Sequence, residues 1–106
     1  MKPLFVHPDK IDKYLLDLEH AEGGPKAKFF VARGFKGDTA NRLPRALMAH
    51  FETARLVLEQ TSKQNKKLVF ECNMPCPDGT SPCIVSVWVD DPREPFTRFV
   101  TAYPAA

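Results

Sequence analysis

Hydrophobic residues change their period once along this chain, and beyond the change they alternate strictly. From Lys67 to Met74, Leu68, Phe70, Cys72 and Met74 fall on one side of an extended strand, with Val69, Glu71 and Asn73 on the other. Cys83 to Val89 repeats the pattern, setting Cys83, Val85, Val87 and Val89 against Ile84, Ser86 and Trp88. Between them lies Pro77-Asp78-Gly79-Thr80, a strong turn sequence. After the loop Asp90 to Pro95, Phe96 to Tyr103 reads as a last strand. A turn centred on Asp78-Gly79 pairs Phe70 with Val87 and Cys72 with Val85 inside, and Val69 with Trp88 and Glu71 with Ser86 outside. The outer face then carries Glu71, Trp88 and, in one register, Arg98. A one-residue slip exchanges Arg98 for Thr101 and Tyr103.

The first half of the chain has helical spacing instead. Asp9 is a capping residue, and Ile11, Leu15 and Leu18 recur every three or four positions with Tyr14 beside them. Gly23-Gly24 stops that helix. Pro25 suits the start of a second, whose inward face is Ala27, Phe30 and Val31, and Gly34 ends it. Asn41 is placed to cap a third, with Leu43, Leu47 and Phe51 on one side and Pro44 tolerated in the first turn. Arg55 to Thr61 is read as a strand rather than an extension of that helix, followed by the polar turn Ser62 to Asn65. The expected architecture is α+β, with N-terminal helices packed on a three- to four-stranded antiparallel meander in one domain over residues 1–106.

The chain of 106 residues is 43% hydrophobic and 26% charged, with a net charge of +2, which permits a nucleic-acid partner without demanding one. No stretch approaches a membrane span or a secretory leader, since Leu4-Phe5-Val6 ends at His7-Pro8-Asp9. The three cysteines cannot all pair within the chain, so a disulfide framework is not expected and a reducing cytoplasm is the natural setting. Cys72, Cys76 and Cys83 lack C-x-x-C spacing and a fourth ligand, so neither metal nor cofactor is expected.

Several landmarks recur in order: Tyr14-Leu15-Leu16, His20, Gly23-Gly24-Pro25-Lys26-Ala27-Lys28-Phe29-Phe30, Pro77-Asp78-Gly79, Val87-Trp88-Val89 and Arg98-Phe99-Val100-Thr101-Ala102-Tyr103-Pro104. In these the chain resembles a widespread family of small bacterial domains of unknown function, also found at the C-terminal tips of polymorphic toxins. Gln64 to Leu68 departs from the family, which commonly has a Tyr-Gly turn and a second tyrosine there. The resemblance implies a fold of the barnase, EndoU and RelE type, which is analogy at the level of fold.

Metal-independent RNA cleavage needs a base for the 2′-hydroxyl, an acid for the leaving oxygen and cations for the phosphorane. The candidate catalytic residues are His20, Lys26, Glu71, Arg98, Thr101 and Tyr103. Glu71 or His20 would be the base, Lys26 and Arg98 the cations, and Thr101 or Tyr103 the phosphate anchor. Lys28 and Trp88 are the candidate RNA contacts, Trp88 by stacking. Lys26 sits at a helix start behind two glycines, where free amides and the helix dipole favour an anion. Each has a plainer reading. Gly-Gly-Pro is a tight corner, Trp88 packs on Val69, Glu71 and Arg98 form a surface pair, and Lys63, Lys66 and Lys67 make a solvated turn. His50 beside apolar neighbours reads as a packed or edge histidine rather than a catalyst. The favoured reading is a small ribonuclease-like toxin with RNA as substrate and a cognate antitoxin as partner. Its rival is a non-enzymatic interaction module that uses an exposed Trp88 face or an edge strand.

Overall fold

The computed structural model describes residues 2–105. A short strand β1 (Leu4–Phe5) leads into α1 (Pro8–Lys10), which runs on as a π-helical turn over Ile11–Leu15. Then come α2 (Gly24–Ala32), a 3-10 turn at Gly37–Thr39 and α3 (Arg42–Thr53). Four strands follow: β2 (Arg55–Thr61), β3 (Lys66–Asn73), β4 (Cys83–Asp90) and β5 (Thr97–Pro104). These four make the expected antiparallel meander, in an α+β fold. The five-stranded sheet has the order β1-β5-β4-β3-β2, with β1 added parallel to β5. Sequence alternation is too brief over Leu4–Phe5 to mark a strand. It is tethered by Thr97 N–H donating to Pro3 C=O at 2.9 Å and by Lys2 Nζ reaching Asp90 Oδ1 at 2.6 Å.

Two helical expectations are corrected. His7, not Asp9, caps the first helix, its Nδ1 accepting from Asp9 N–H. Leu18, assigned to the apolar stripe, is 52% exposed because the helix has already ended by Leu15. Gly34 does end α2, at a φ of 102° that only glycine adopts without strain.

The β3–β4 register differs from expectation by one residue. Cys72 pairs with Ile84, Phe70 with Ser86 and Leu68 with Trp88. The connection between Asn73 and Cys83 is an odd-numbered loop centred on Asp78, closed by Met74 N–H to Pro82 C=O and Cys76 N–H to Thr80 C=O. Moving the centre by half a residue exchanges the two faces of β4. Trp88 therefore points into the core, is fully buried, and meets Phe51 and Phe99 edge-on with ring centroids 5.2 Å away in each case. Cys72 and Cys83 form a disulfide, with Cα atoms 4.2 Å apart, which corrects the expectation that no disulfide would form. An odd cysteine count leaves one thiol over without preventing the other two from pairing. Cys76 is that thiol, and it is buried. The cysteine argument for a reducing compartment therefore falls away. No helix among the described residues is long and apolar enough to cross a membrane.

His50 is packed, as its apolar neighbours suggested, and it is fully hydrogen-bonded. Its Nε2–H donates to Cys72 C=O at 2.8 Å, which obliges Nδ1 to accept from the Ser86 hydroxyl at 2.7 Å. Ser86 Oγ in turn accepts from Trp88 Nε1–H at 3.1 Å. Burial holds the His50 pKa below the usual histidine value, against the opposing pull of backbone hydrogen bonding. Below about pH 6.5 the unfolded chain takes up a proton that the folded chain refuses. The neutral ring's contribution is thus complete above that pH and is lost as pH falls towards the depressed folded value. In urea unfolding from pH 8 to pH 5, His50→Gln is expected to be less stable than wild type at pH 8 yet to lose less on acidification. Equal acid slopes for the two proteins would count against this assignment.

Candidate functional site

Three side chains from three separate elements meet beside the outer edge of β5. Tyr14 comes from the π-helical turn, whose neighbours Ile11 and Leu15 are buried and fix the turn against the core. Lys26 comes from the first turn of α2 and Thr101 from β5. Lys26 Nζ donates to Tyr14 Oη at 2.5 Å and to Thr101 Oγ1 at 3.2 Å, while the two hydroxyls lie 3.1 Å apart. Tyr103 closes the group, its ring centroid 5.8 Å from Lys26 Nζ. β1 pairs only with Thr97 and Arg98, so the outer edge of β5 beyond Phe99 has no strand beside it, and α2 packs there.

A glycine permits this contact. A Cβ on Gly23 would lie 2.5 Å from Tyr14 C=O and 2.8 Å from its Cδ1, and one on Gly24 would lie 2.9 Å from Leu18 C=O. The pair serves as a tight inter-helix corner with no positive φ. It does not leave a row of free amides. The N–H groups of Glu22 and Gly23 donate to His20 Nδ1 at 3.0 and 2.9 Å, and Gly24 N–H donates to His20 C=O at 2.8 Å. Pro25 has no N–H to offer. The helix start is therefore a poor anion cradle.

These bonds also set the chemistry of His20. With Nδ1 accepting two amides, the neutral ring carries its proton on Nε2, where it can donate. Its ring packs edge-on against Tyr14 at 5.1 Å.

Tyr14 is the residue that the sequence reading missed. Burial alone would raise its pKa. Hydrogen bonds from Lys26 and Thr101, with the charges of Lys26 and Lys10, outweigh burial and bring it below the usual tyrosine value. A phenol next to an ammonium is a proton carrier with access to its anionic form. The available signal was its place in Tyr14-Leu15-Leu16, off the buried stripe of its own helix.

A bulge in β5 settles the register left open between Arg98 and Thr101 with Tyr103. Arg98 pairs with Val89, Thr101 with Val87 and Tyr103 with Val85, the pairing shifting between Val87 and Trp88. Directly paired residues share a face, so all three lie on one face with Glu71, the partner of Val85. Glu71 is two strands from Tyr103, roughly 10 Å away along the sheet, and makes no contact with the Tyr14 group. Lys28 is exposed on α2, two positions from Lys26 and so turned away from it. Trp88, enclosed in the core, cannot stack on a ligand.

Tyr14 and His20 also line a cleft of about 690 Å³ with Phe5, Phe96, Phe99, Lys10, Lys13 and Arg98. Asp9 and Glu94 share it, Glu94 accepting from Arg98 Nε–H at 3.3 Å and Asp9 lying 3.8 Å from Lys13. Three cations thus face two carboxylates. The Lys63–Lys66 turn lines a separate depression of about 470 Å³, where Lys66 is bound to Glu59.

Together these features define a small α+β domain with a tyrosine–lysine–threonine contact at the edge of its sheet, opening onto an aromatic and basic cleft. Its sequence matches the model of a domain of unknown function, DUF6883, over residues 1–106, and the chain belongs to that family. Among solved structures it is similar in fold to a chain of a contact-dependent growth inhibition toxin–immunity protein complex from Klebsiella pneumoniae 342. That likeness has a TM-score of 0.74 at 16% identity and covers 93% of this chain and 97% of the other. Comparison with curated proteins gives no match.

If Lys26 lowers the Tyr14 pKa, Lys26→Met raises it. In a Tyr103→Phe background Tyr14 is the only tyrosine, and its ionisation is read directly by ultraviolet absorbance. The midpoint is expected at higher pH with Lys26→Met than without it. An unchanged midpoint would separate Tyr14 from Lys26 in solution.

Proposed function

We propose that this domain is a small ribonuclease-like toxin that cleaves RNA by acid–base and electrostatic catalysis without metal. The observation that carries the proposal is the Tyr14–Lys26–Thr101 contact at the end of the aromatic and basic cleft. The fold likeness to a chain of a toxin–immunity complex supports the toxin setting, with a neutralising protein as partner.

In this reading Tyr14, as phenolate, takes the proton of a ribose 2′-hydroxyl. The 2′-oxygen attacks phosphorus, the bond from phosphorus to the 5′-oxygen breaks, and the leaving oxygen takes a proton from water. The products are a 2′,3′-cyclic phosphate and a 5′-hydroxyl. Lys26 and Arg98 offset the charge of the phosphorane, while Thr101 and His20 Nε2–H hold phosphate oxygens. Phe5 and Phe96, 4.9 Å apart by ring centroid, take the base-stacking role once expected of Trp88. The base role expected of Glu71 or His20 passes to Tyr14.

The rival reading, a non-enzymatic interaction module, loses the exposed Trp88 face and keeps the edge strand. Cleavage of total cellular RNA in EDTA separates the two. Wild type is expected to yield discrete fragments, and Tyr14→Phe and Lys26→Ala each to lose roughly 100-fold or more in rate. A folded wild-type protein that leaves RNA intact would remove the ribonuclease reading. Full activity in Tyr14→Phe would place the chemistry elsewhere.

A further inference from the structure

The loop between β4 and β5 carries a carboxylate that the reaction proposed above does not use. Glu94 lines the cleft with Tyr14, Phe5 and Phe96, and its side chain is only 28% exposed. It is held at both ends. Its N–H donates to Asp91 C=O at 2.9 Å, and its Oε1 accepts from Arg98 Nε–H at 3.3 Å. Asp91 is itself buried and binds Arg93 through both oxygens, at 3.0 Å from Nε and 2.7 Å from Nη2, so the loop is tied down before any ligand arrives. Asp9, the other carboxylate of the cleft, is 60% exposed and 3.8 Å from Lys13, a loose surface pair.

An aromatic surface with a fixed carboxylate in the same cleft can tell one base from another. Ring faces stack on any base and select none. The Phe5 and Phe96 rings lie 4.9 Å apart at 41° to each other, too close for a base to enter between them, so they offer a surface and not a slot. Selection then falls to Glu94, two residues before Phe96, whose carboxylate only accepts hydrogen bonds. Arg98 occupies part of Oε1 and leaves Oε2 and the remaining lone pairs for a ligand. On its Watson–Crick edge guanine presents two neighbouring donors, N1–H and N2–H, which match the two oxygens of one carboxylate. Adenine and cytosine present one amino group beside a ring nitrogen that accepts, and uracil one N–H between two carbonyls. Each of these three sets an acceptor against the carboxylate, which repels it.

We propose that the cleft takes guanine, stacked on the Phe5–Phe96 surface with N1–H and N2–H donating to Glu94, and that Glu94 selects the RNA sequence. The inference rests on the ribonuclease reading and adds its substrate class, RNA with guanine in a nucleotide flanking the cleaved bond. Arg98 joins the two halves of the cleft. Its Nε–H orients Glu94, and its charge is one of the two that offset the phosphorane.

The test has two arms. In the first, the purified chain is titrated with guanosine 3′-monophosphate and with adenosine 3′-monophosphate, neither of which has a bond for it to cleave. The guanine nucleotide is expected to bind at least about tenfold tighter, and Glu94→Gln to abolish the difference. In the second, short RNAs carry guanine, adenine or inosine at one position. Cleavage beside guanine is expected to be at least about tenfold faster than beside adenine or inosine, which lacks only the N2 amine. Glu94→Gln is expected to bring the three rates together, whereas a structural loss would slow all three alike. Cleavage without base preference, or a guanine preference that survives in Glu94→Gln, overturns the guanine site and leaves the ribonuclease reading standing. Intact RNA with guanine-selective binding removes the ribonuclease reading and supports the guanine site. Intact RNA without selective binding overturns both.

Discussion

The site rests on a missing Cβ. The π-helical turn and the first turn of α2 meet so closely at Tyr14 and Gly23 that any other residue at Gly23 would drive a carbon into the Tyr14 carbonyl at 2.5 Å. That approach sets the distance between the two helical segments, and with it the reach of Lys26 to the Tyr14 hydroxyl. His20 serves the same corner from the other side, its Nδ1 and C=O taking the amides that would otherwise be unpaired at the helix start. Gly-Gly followed by Pro-Lys thus resembles a phosphate-binding start, while its backbone donors are spent on building the corner. The positive charge reaches the site through the Lys26 side chain.

On the sheet side the matching device is the bulge in β5. A regular strand would send Arg98 and Thr101 to opposite faces, because they are three residues apart. One extra residue between Phe99 and Thr101 brings them to the same face while Phe99 and Ala102 remain in the core. The bulge therefore reconciles two demands on one strand. It keeps the packing of Phe99 on Trp88, with ring centroids 5.2 Å apart, and it places Thr101 beside Tyr14.

The sequence carried the α+β class, the four-strand meander, the boundaries of α2 and α3 within a residue or two, and the choice of strand over helix at Arg55–Thr61. Those follow from periodicity and from turn residues, which act locally. It did not carry the inner and outer faces of β4, because these depend on whether the β3–β4 loop has an even or odd number of residues. Pro77-Asp78-Gly79 marks the turn without counting that loop. The burial of Trp88 depends on that register. In the site, Lys26, Thr101 and Tyr103 were legible because they sit in compact motifs. Tyr14 was not, since a tyrosine beside an apolar stripe reads as packing until the partner of its hydroxyl is seen.

The contrast between Tyr14 and His20 shows how folding assigns a chemical role that residue type alone does not. By ordinary pKa, histidine is the better base near neutral pH and tyrosine the poorer one. Here His20 Nδ1 accepts the amides of Glu22 and Gly23, so the neutral ring carries its proton on Nε2. Tyr14 meanwhile receives hydrogen bonds from an ammonium and a hydroxyl and lies near a second ammonium, Lys10, 5.6 Å from its ring. Each of these interactions favours the phenolate over the phenol. The pKa of the phenol is lowered as a result, 5.1 Å from the imidazole in the wall of one cleft. A Lys26 ammonium held between Tyr14 and Thr101 is the source of that shift, and it is also the charge best placed to meet an anion entering from the cleft.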